Sequence, residues 1–112
     1  MRDLSLYLKD ISQAIESIEA FIFGMDYDAF FADDKTVSAV IRKLEIIGEA
    51  VKQLPEEVSQ RHPDIQWKRI AGMRDKLVHD YFGVNMDILW DVLTTKLPAL
   101  LKQISNMAQD VR

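Results

Sequence analysis

One run of this chain gathers the residues able to do acid–base and phosphate chemistry: Arg74-Asp75-Lys76-Leu77-Val78-His79-Asp80-Tyr81. Arginine's planar, permanently charged fork suits a phosphate group. Histidine, with an ordinary pKa of about 6.5, can take or give a proton at neutral pH. A carboxylate at Asp75, four residues before His79, can accept a hydrogen bond from the imidazole and fix its tautomer. The phenol of Tyr81 is neutral at pH 7 and becomes a nucleophile only when a partner activates it.

The rest of the chain is poor in such groups. It has two histidines and no cysteine, so thiolate nucleophiles, disulfides and thiolate metal sites are excluded. No cluster of acids and histidines has metal-ligand spacing, and neither a metal nor another cofactor is expected. His62, beside Pro63, is read as a structural residue of a connector.

The element carrying the run decides what it can do. On a helical wheel of about 100° per residue, Ile70, Met73, Leu77, Val78 and Ala71 form the apolar arc. Arg74 and Tyr81 fall inside it, about 20° apart and two turns from each other, so both can look into one cleft. An unpaired buried charge is costly. Arg74 must therefore snorkel, line a wet cleft, or pair with an acid such as Glu45 or Glu49, which is the purely structural alternative. His79 falls on the polar face, about 140° from Arg74. Convergence of the two needs arginine's reach, a distorted helix end near Gly83, or a second protomer that supplies one of the groups.

The surrounding pattern is helical. Leu4, Leu8, Ile11, Ile15, Ile18 and Ile22 form one three-four stripe, widened by Tyr7, Ala14 and Phe21. Gly24 is placed to end that helix. Residues 25–32, with Tyr27, Phe30 and Phe31, predict a helical turn tucked on the core. Asp33 or Asp34 caps a second helix, with Val37, Ile41, Leu44, Gly48 and Val51 as its stripe and Val40 and Ile47 beside it. Pro55 opens a short turn. Pro63-Asp64 opens a third helix running to about Tyr81, with Asp64 as its cap, and Gly83 stops it. The last segment carries Leu89, Trp90, Leu93, Leu97, Leu100, Leu101, Ile104 and Met107, and Pro98 divides or kinks it. No strand-period segment is visible. The fold expected is all-α, an up-and-down bundle of four main helices with short connections.

At 112 residues, 48% of them hydrophobic, the chain reads as one domain, 1–112, for which a partner chain would help to bury surface. The formal net charge of −4 argues against a nucleic-acid binder that uses its whole surface. Locally the balance reverses. Residues 61–82 carry Arg61, Lys68, Arg69, Arg74 and Lys76 against Asp64, Asp75 and Asp80, a basic island on an acidic body. There is no signal-peptide pattern after Met1 and no apolar run near the roughly 20 residues of a membrane span. A soluble, cytoplasmic protein is expected.

The run resembles the Arg-x4-His-x-Tyr motif of the HEPN superfamily, and within it the chain is similar to the HepT-like ribonuclease toxins of prokaryotic toxin–antitoxin pairs. Leu44-Glu45-Ile46-Ile47-Gly48-Glu49-Ala50 resembles the family's second-helix signature. His62-Pro63, Ile65 and Trp67 match the approach to its third helix. Gly72-Met73-Arg74-Asp75 through His79-Asp80-Tyr81-Phe82-Gly83-Val84 matches its core, and Trp90 and Leu97-Pro98 match its last segment. The ordered series spans about residues 4–110 and is far more specific than Arg-x4-His alone.

The resemblance implies a HEPN-type homodimer whose two motifs face a shared cleft. It implies metal-independent RNA cleavage with Arg74 and His79 as catalytic residues, Asp75 supporting them. It also implies a partner, a minimal nucleotidyltransferase antitoxin that transfers AMP to Tyr81 and silences the toxin, as in a type VII-like pair. The alternative reading is a non-catalytic HEPN subunit that binds such a nucleotidyltransferase and nucleotides. A third, a purely structural helical dimer, explains the stripes and leaves Arg74 on the apolar arc unexplained.

Overall fold

The structure is a computed structural model that describes residues 3–72 and 86–110. Among these residues every regular element is helical. Helix α1, Leu4–Ile22, starts where Asp3 turns its carboxylate back onto the Ser5 amide at 3.1 Å. It buries Leu8, Ile11, Ala14, Ile15 and Ile18, five positions of the expected stripe and its flank. Tyr7 is half-buried and Phe21 lies at the surface. Gly24 follows the helix with φ of 78°, the left-handed conformation that glycine adopts without a side-chain clash. The expected stop is therefore a backbone fact.

Helix α2, Tyr27–Ala32, is the expected turn on the core. Asp26 caps it through the Ala29 amide at 2.8 Å, and Phe30 is completely buried. Helix α3, Asp34–Lys52, is capped by Asp33, which accepts from both the amide and the hydroxyl of Thr36, the latter at 2.7 Å. Its burial is deepest at Val40, Ile47 and Leu44, while Ile41 is only half-buried. The inward face is thus rotated toward the residues read as flanking. Helix α1 packs chiefly on α3 and then on the C-terminal helix, and α2 lies on α3. Each fully buried isoleucine or leucine in this seam contributes roughly 1.5–3 kcal/mol of transfer free energy.

Helix α4, Glu56–Arg61, begins directly after Pro55 and anchors itself with Val58. The next helix, α5, does not begin at Pro63-Asp64 as its sequence suggested. Residues 63–65 form a turn and helical structure starts at 67; α5 is described over 67–72. Asp64 is not its cap. The Asp64 carboxylate instead accepts from the Gln103 side chain of the last helix at 3.1 Å, a partner distant in sequence that local patterning cannot supply.

Helix α6, Met86–Asp91, passes into a π-helical turn, Val92–Lys96, and then into α7, Leu97–Asp110. Pro98 accounts for the wide turn. Proline's ring clashes with the carbonyl four residues back, here that of Thr94. Widening the turn relieves this, and the Leu97 amide bonds to the Val92 carbonyl five residues behind. The expected division at Pro98 is a local unwinding with the chain still helical on both sides. Leu89, Leu93, Leu97, Leu100, Ile104 and Met107 all face the core.

Candidate functional site

Arg74, Asp75, His79 and Tyr81 lie outside the described residues, as does Gly83. What the structure places is the framework on either side of them. On the N-terminal side, one backbone oxygen organises the approach. The His62 carbonyl accepts from the Ile65 amide at 3.1 Å and from the Trp67 indole Nε1 at 3.0 Å. Ile65 is buried, and Trp67, Ile70 and Ala71 pack half-buried against the core. His62 thus serves through its backbone, in line with the structural role read for it.

Beside this approach runs an open groove of about 570 Å³ between α4 and the start of α5, lined by Ser59, Gln60, Gln66, Trp67, Lys68 and Arg69, with Glu56 as the acid among its lining residues. Lys68 and Arg69 are exposed. Arg69 is braced by the Gln66 side chain at 3.2 Å.

On the C-terminal side, α6 is held by aromatic contacts with α2. The Trp90 ring lies 5.4 Å from that of Phe30 and meets Tyr27 edge-on at 6.4 Å. Phe31 completes the cluster, 4.7 Å from Tyr27. Partial burial, a hydrogen bond to Asp87 and the charges of Asp87 and Asp28 push the Tyr27 phenol above its ordinary range. This aromatic clamp escaped the sequence reading. Tyr27, Phe30 and Phe31 were visible as a core turn, but nothing local marks Asp87 and Trp90 as their partners.

Of the two acids considered for Arg74, Glu45 is engaged by Arg42 on its own helix, at 3.3 Å. No group of three or more acids and histidines placed to hold a metal occurs among the described residues, and no helix there is long and apolar enough to cross a membrane.

The all-α architecture and the helical approach to residues 73–85 fit one class of protein, and comparison with known proteins agrees. The family model described as "Ribonuclease HepT-like" matches residues 11–107. A protein of Methanocaldococcus jannaschii named for RNase activity is 44% identical over 110 residues, covering 98% of this chain and 91% of its own. One from Caldanaerobacter subterraneus, likewise named for RNase activity, is 45% identical over 103 residues, 92% of each chain. A Thermococcus cleftensis protein named as a probable ribonuclease HepT is 49% identical over 94 residues, 84% of this chain and 86% of its own. No solved structure gives a significant match. This chain belongs to the HepT-like ribonuclease family of the HEPN superfamily.

Proposed function

We propose that this chain is an endoribonuclease acting as one HEPN domain, residues 1–112, and the toxin component of a toxin–antitoxin pair. The observation that carries the reading is the intact Arg74-x4-His79-x-Tyr81 run, inside a family match that spans most of the chain. Two protomers bring their motifs to a shared cleft. The Arg74 side chains bind the phosphoryl oxygens and stabilise charge as it develops there. One His79 takes the proton from the ribose 2′-hydroxyl, whose oxygen bonds to the adjacent phosphorus. The bond from phosphorus to the 5′-oxygen breaks, and the partner's His79 protonates that leaving oxygen. Asp75 orients the imidazole. The products are a 2′,3′-cyclic phosphate and a 5′-hydroxyl, and no metal or cofactor takes part. A minimal nucleotidyltransferase silences the enzyme by moving AMP onto the Tyr81 hydroxyl, with pyrophosphate leaving from ATP. The added phosphate then competes for the arginines.

The test is cleavage of end-labelled RNA in EDTA, with His79→Ala and Arg74→Ala as comparisons and DNA of the same sequence as the inert substrate. Loss in both variants with retained helicity, and a cyclic phosphate by mass, are expected. Full loss of cleavage in EDTA with recovery on adding a divalent metal overturns the mechanism. The net charge of −4 favours the alternative of a non-catalytic subunit. That reading stands instead if the chain binds a cognate nucleotidyltransferase and cleaves nothing. A 12.9 kDa species throughout the micromolar range in sedimentation equilibrium would overturn the dimer. An unchanged mass after co-expression with the nucleotidyltransferase, or a Tyr81→Phe protein modified and silenced equally well, would overturn the switch.

A further inference from the structure

We propose that the groove between α4 and the start of α5 is a secondary RNA subsite, which holds the phosphodiester backbone a few nucleotides from the bond that is cut. The inference rests on the RNA-cleavage reading above and adds to it a binding surface made of residues outside the motif.

Three observations converge on this groove. The first is charge. Lys68 and Arg69 are exposed on a chain of net charge −4, and among the described residues neither forms a salt bridge. Arg69 is instead held by a neutral amide, Gln66, at 3.2 Å, which orients the guanidinium without neutralising its charge. The second is shape. The groove is large, about 570 Å³, but shallow and open. An enclosed pocket would suit a small molecule buried on most sides; an open trough suits a strand that passes through. Its polar lining, Ser59, Gln60 and Gln66, offers neutral donors for phosphate and ribose oxygens. The half-buried Trp67 offers aromatic surface against which a base can lie, as in sequence-tolerant single-strand binding.

The third observation is position. Arg69 precedes Arg74 by five residues, so the backbone alone limits their Cα separation to about 18 Å. A strand bound at the motif can therefore reach the groove within a few nucleotides. The bond from the Trp67 indole to the His62 carbonyl ties the ring to the turn between α4 and α5. Glu56, at the opposing edge, works against an anion and sets the sign of a control.

The test is fluorescence anisotropy with a labelled single-stranded oligoribonucleotide of about a dozen residues and the His79→Ala protein, titrated from 0.1 to 1 M salt. Each phosphate contact to a single strand contributes a slope of about 0.7 to log K against log salt. Lys68→Gln/Arg69→Gln should flatten the slope by about 1.4 and weaken binding about twentyfold at 0.1 M, the two curves converging near 1 M. Glu56→Gln should tighten binding. Lys35→Gln, at the far end of α3, should change it little. A double variant with undiminished affinity and slope overturns the subsite, and if the wild type still cleaves RNA the catalytic reading survives that failure. If the wild type neither binds nor cleaves any RNA, both fail together. Unchanged helicity and thermal midpoint in the double variant, expected for two exposed side chains, exclude unfolding as the cause.

Discussion

The indole of Trp67 and the backbone of His62 are locked together: Nε1 donates to the His62 carbonyl at 3.0 Å, an oxygen that also accepts from the Ile65 amide. The chain between α4 and α5 is therefore shaped by a side chain lying just past the turn. Trp67→Phe keeps an aromatic ring and removes the donor. Because the carbonyl retains its bond from Ile65, the expected loss is about 1 kcal/mol, that of one ordinary hydrogen bond. Trp67→Leu should lose more, since packing goes as well. Urea unfolding measures both, with a lower midpoint at unchanged slope as the signature.

Asp33 caps α3 through two bonds to Thr36, and these hold its carboxyl below the ordinary carboxylate range. The ionised form is favoured in the folded state. Its stabilisation is complete above the unfolded pKa of about 3.9 and is lost as pH falls through the lower folded value. Asp33→Ala should lower the thermal midpoint at pH 7 by roughly 5 °C. The difference from wild type should shrink below pH 3. A constant difference across the acid range would show that the cap does not act through its charge.

Phe30 has no exposed surface and touches both Phe31 and Trp90. Phe30→Ala should destabilise by about 3–5 kcal/mol, the transfer loss plus a cavity. Against a total stability of about 5–15 kcal/mol, that is a large fraction. Trp90 emission should shift with it, because its packing neighbour is gone. Guanidinium unfolding followed by fluorescence reads both effects.

Much of this fold is legible in the residues because it is built from local devices. The α1 stripe, the stop at Gly24, the Asp33 cap and the break at Pro98 each follow from a few neighbouring side chains. The errors fall where distant elements meet. Asp64 has the chemistry of a cap, yet Gln103 takes its carboxylate and α5 starts three residues later. A wheel of constant pitch also misses the π-helical turn, because Leu89, Leu93 and Leu97 would share one face of a regular helix too, within about 80°, and so give no sign of it. At the candidate site, residue types and spacing pointed to Arg74, His79 and Tyr81. The groove of Lys68 and Arg69 needed tertiary structure, because its other wall belongs to α4.

Pro98→Ala is a test of what holds the π turn. An interior proline normally costs about 3 kcal/mol against alanine. Leu89, Leu93 and Leu97 would share one face of a regular helix as well, within about 80°, so the leucine spacing does not hold the turn and the proline ring does. Alanine should therefore restore the ordinary ladder and raise stability by about 1–3 kcal/mol. Denaturant unfolding decides, and an unchanged or lowered stability would show that packing around the turn holds it without the proline.

The last prediction concerns Tyr27, whose ring and hydroxyl join α2 to α6 just after the motif-bearing segment. Its phenol is raised above the ordinary value of 10.0 by partial burial first, then by the hydrogen bond to Asp87 and by the Asp87 and Asp28 charges. The neutral phenol is thus favoured in the folded state. Its contribution is complete below the unfolded pKa of about 10 and is lost as pH rises through the folded value. Tyr27→Phe keeps the ring contact with Trp90 and removes both the hydroxyl bond and the titration. At pH 7 the variant should be modestly less stable than wild type. Above pH 10 the wild type should lose stability toward that of the variant, whose own curve lacks this component. Thermal melts at pH 7, 9, 10 and 11 follow the two. Asp87→Asn supplies the second arm: with the carboxylate neutralised, the alkaline loss should move to lower pH, because the charge that raises the phenol is gone. Parallel curves for wild type and Tyr27→Phe across this range would overturn the coupling of the phenol to the fold.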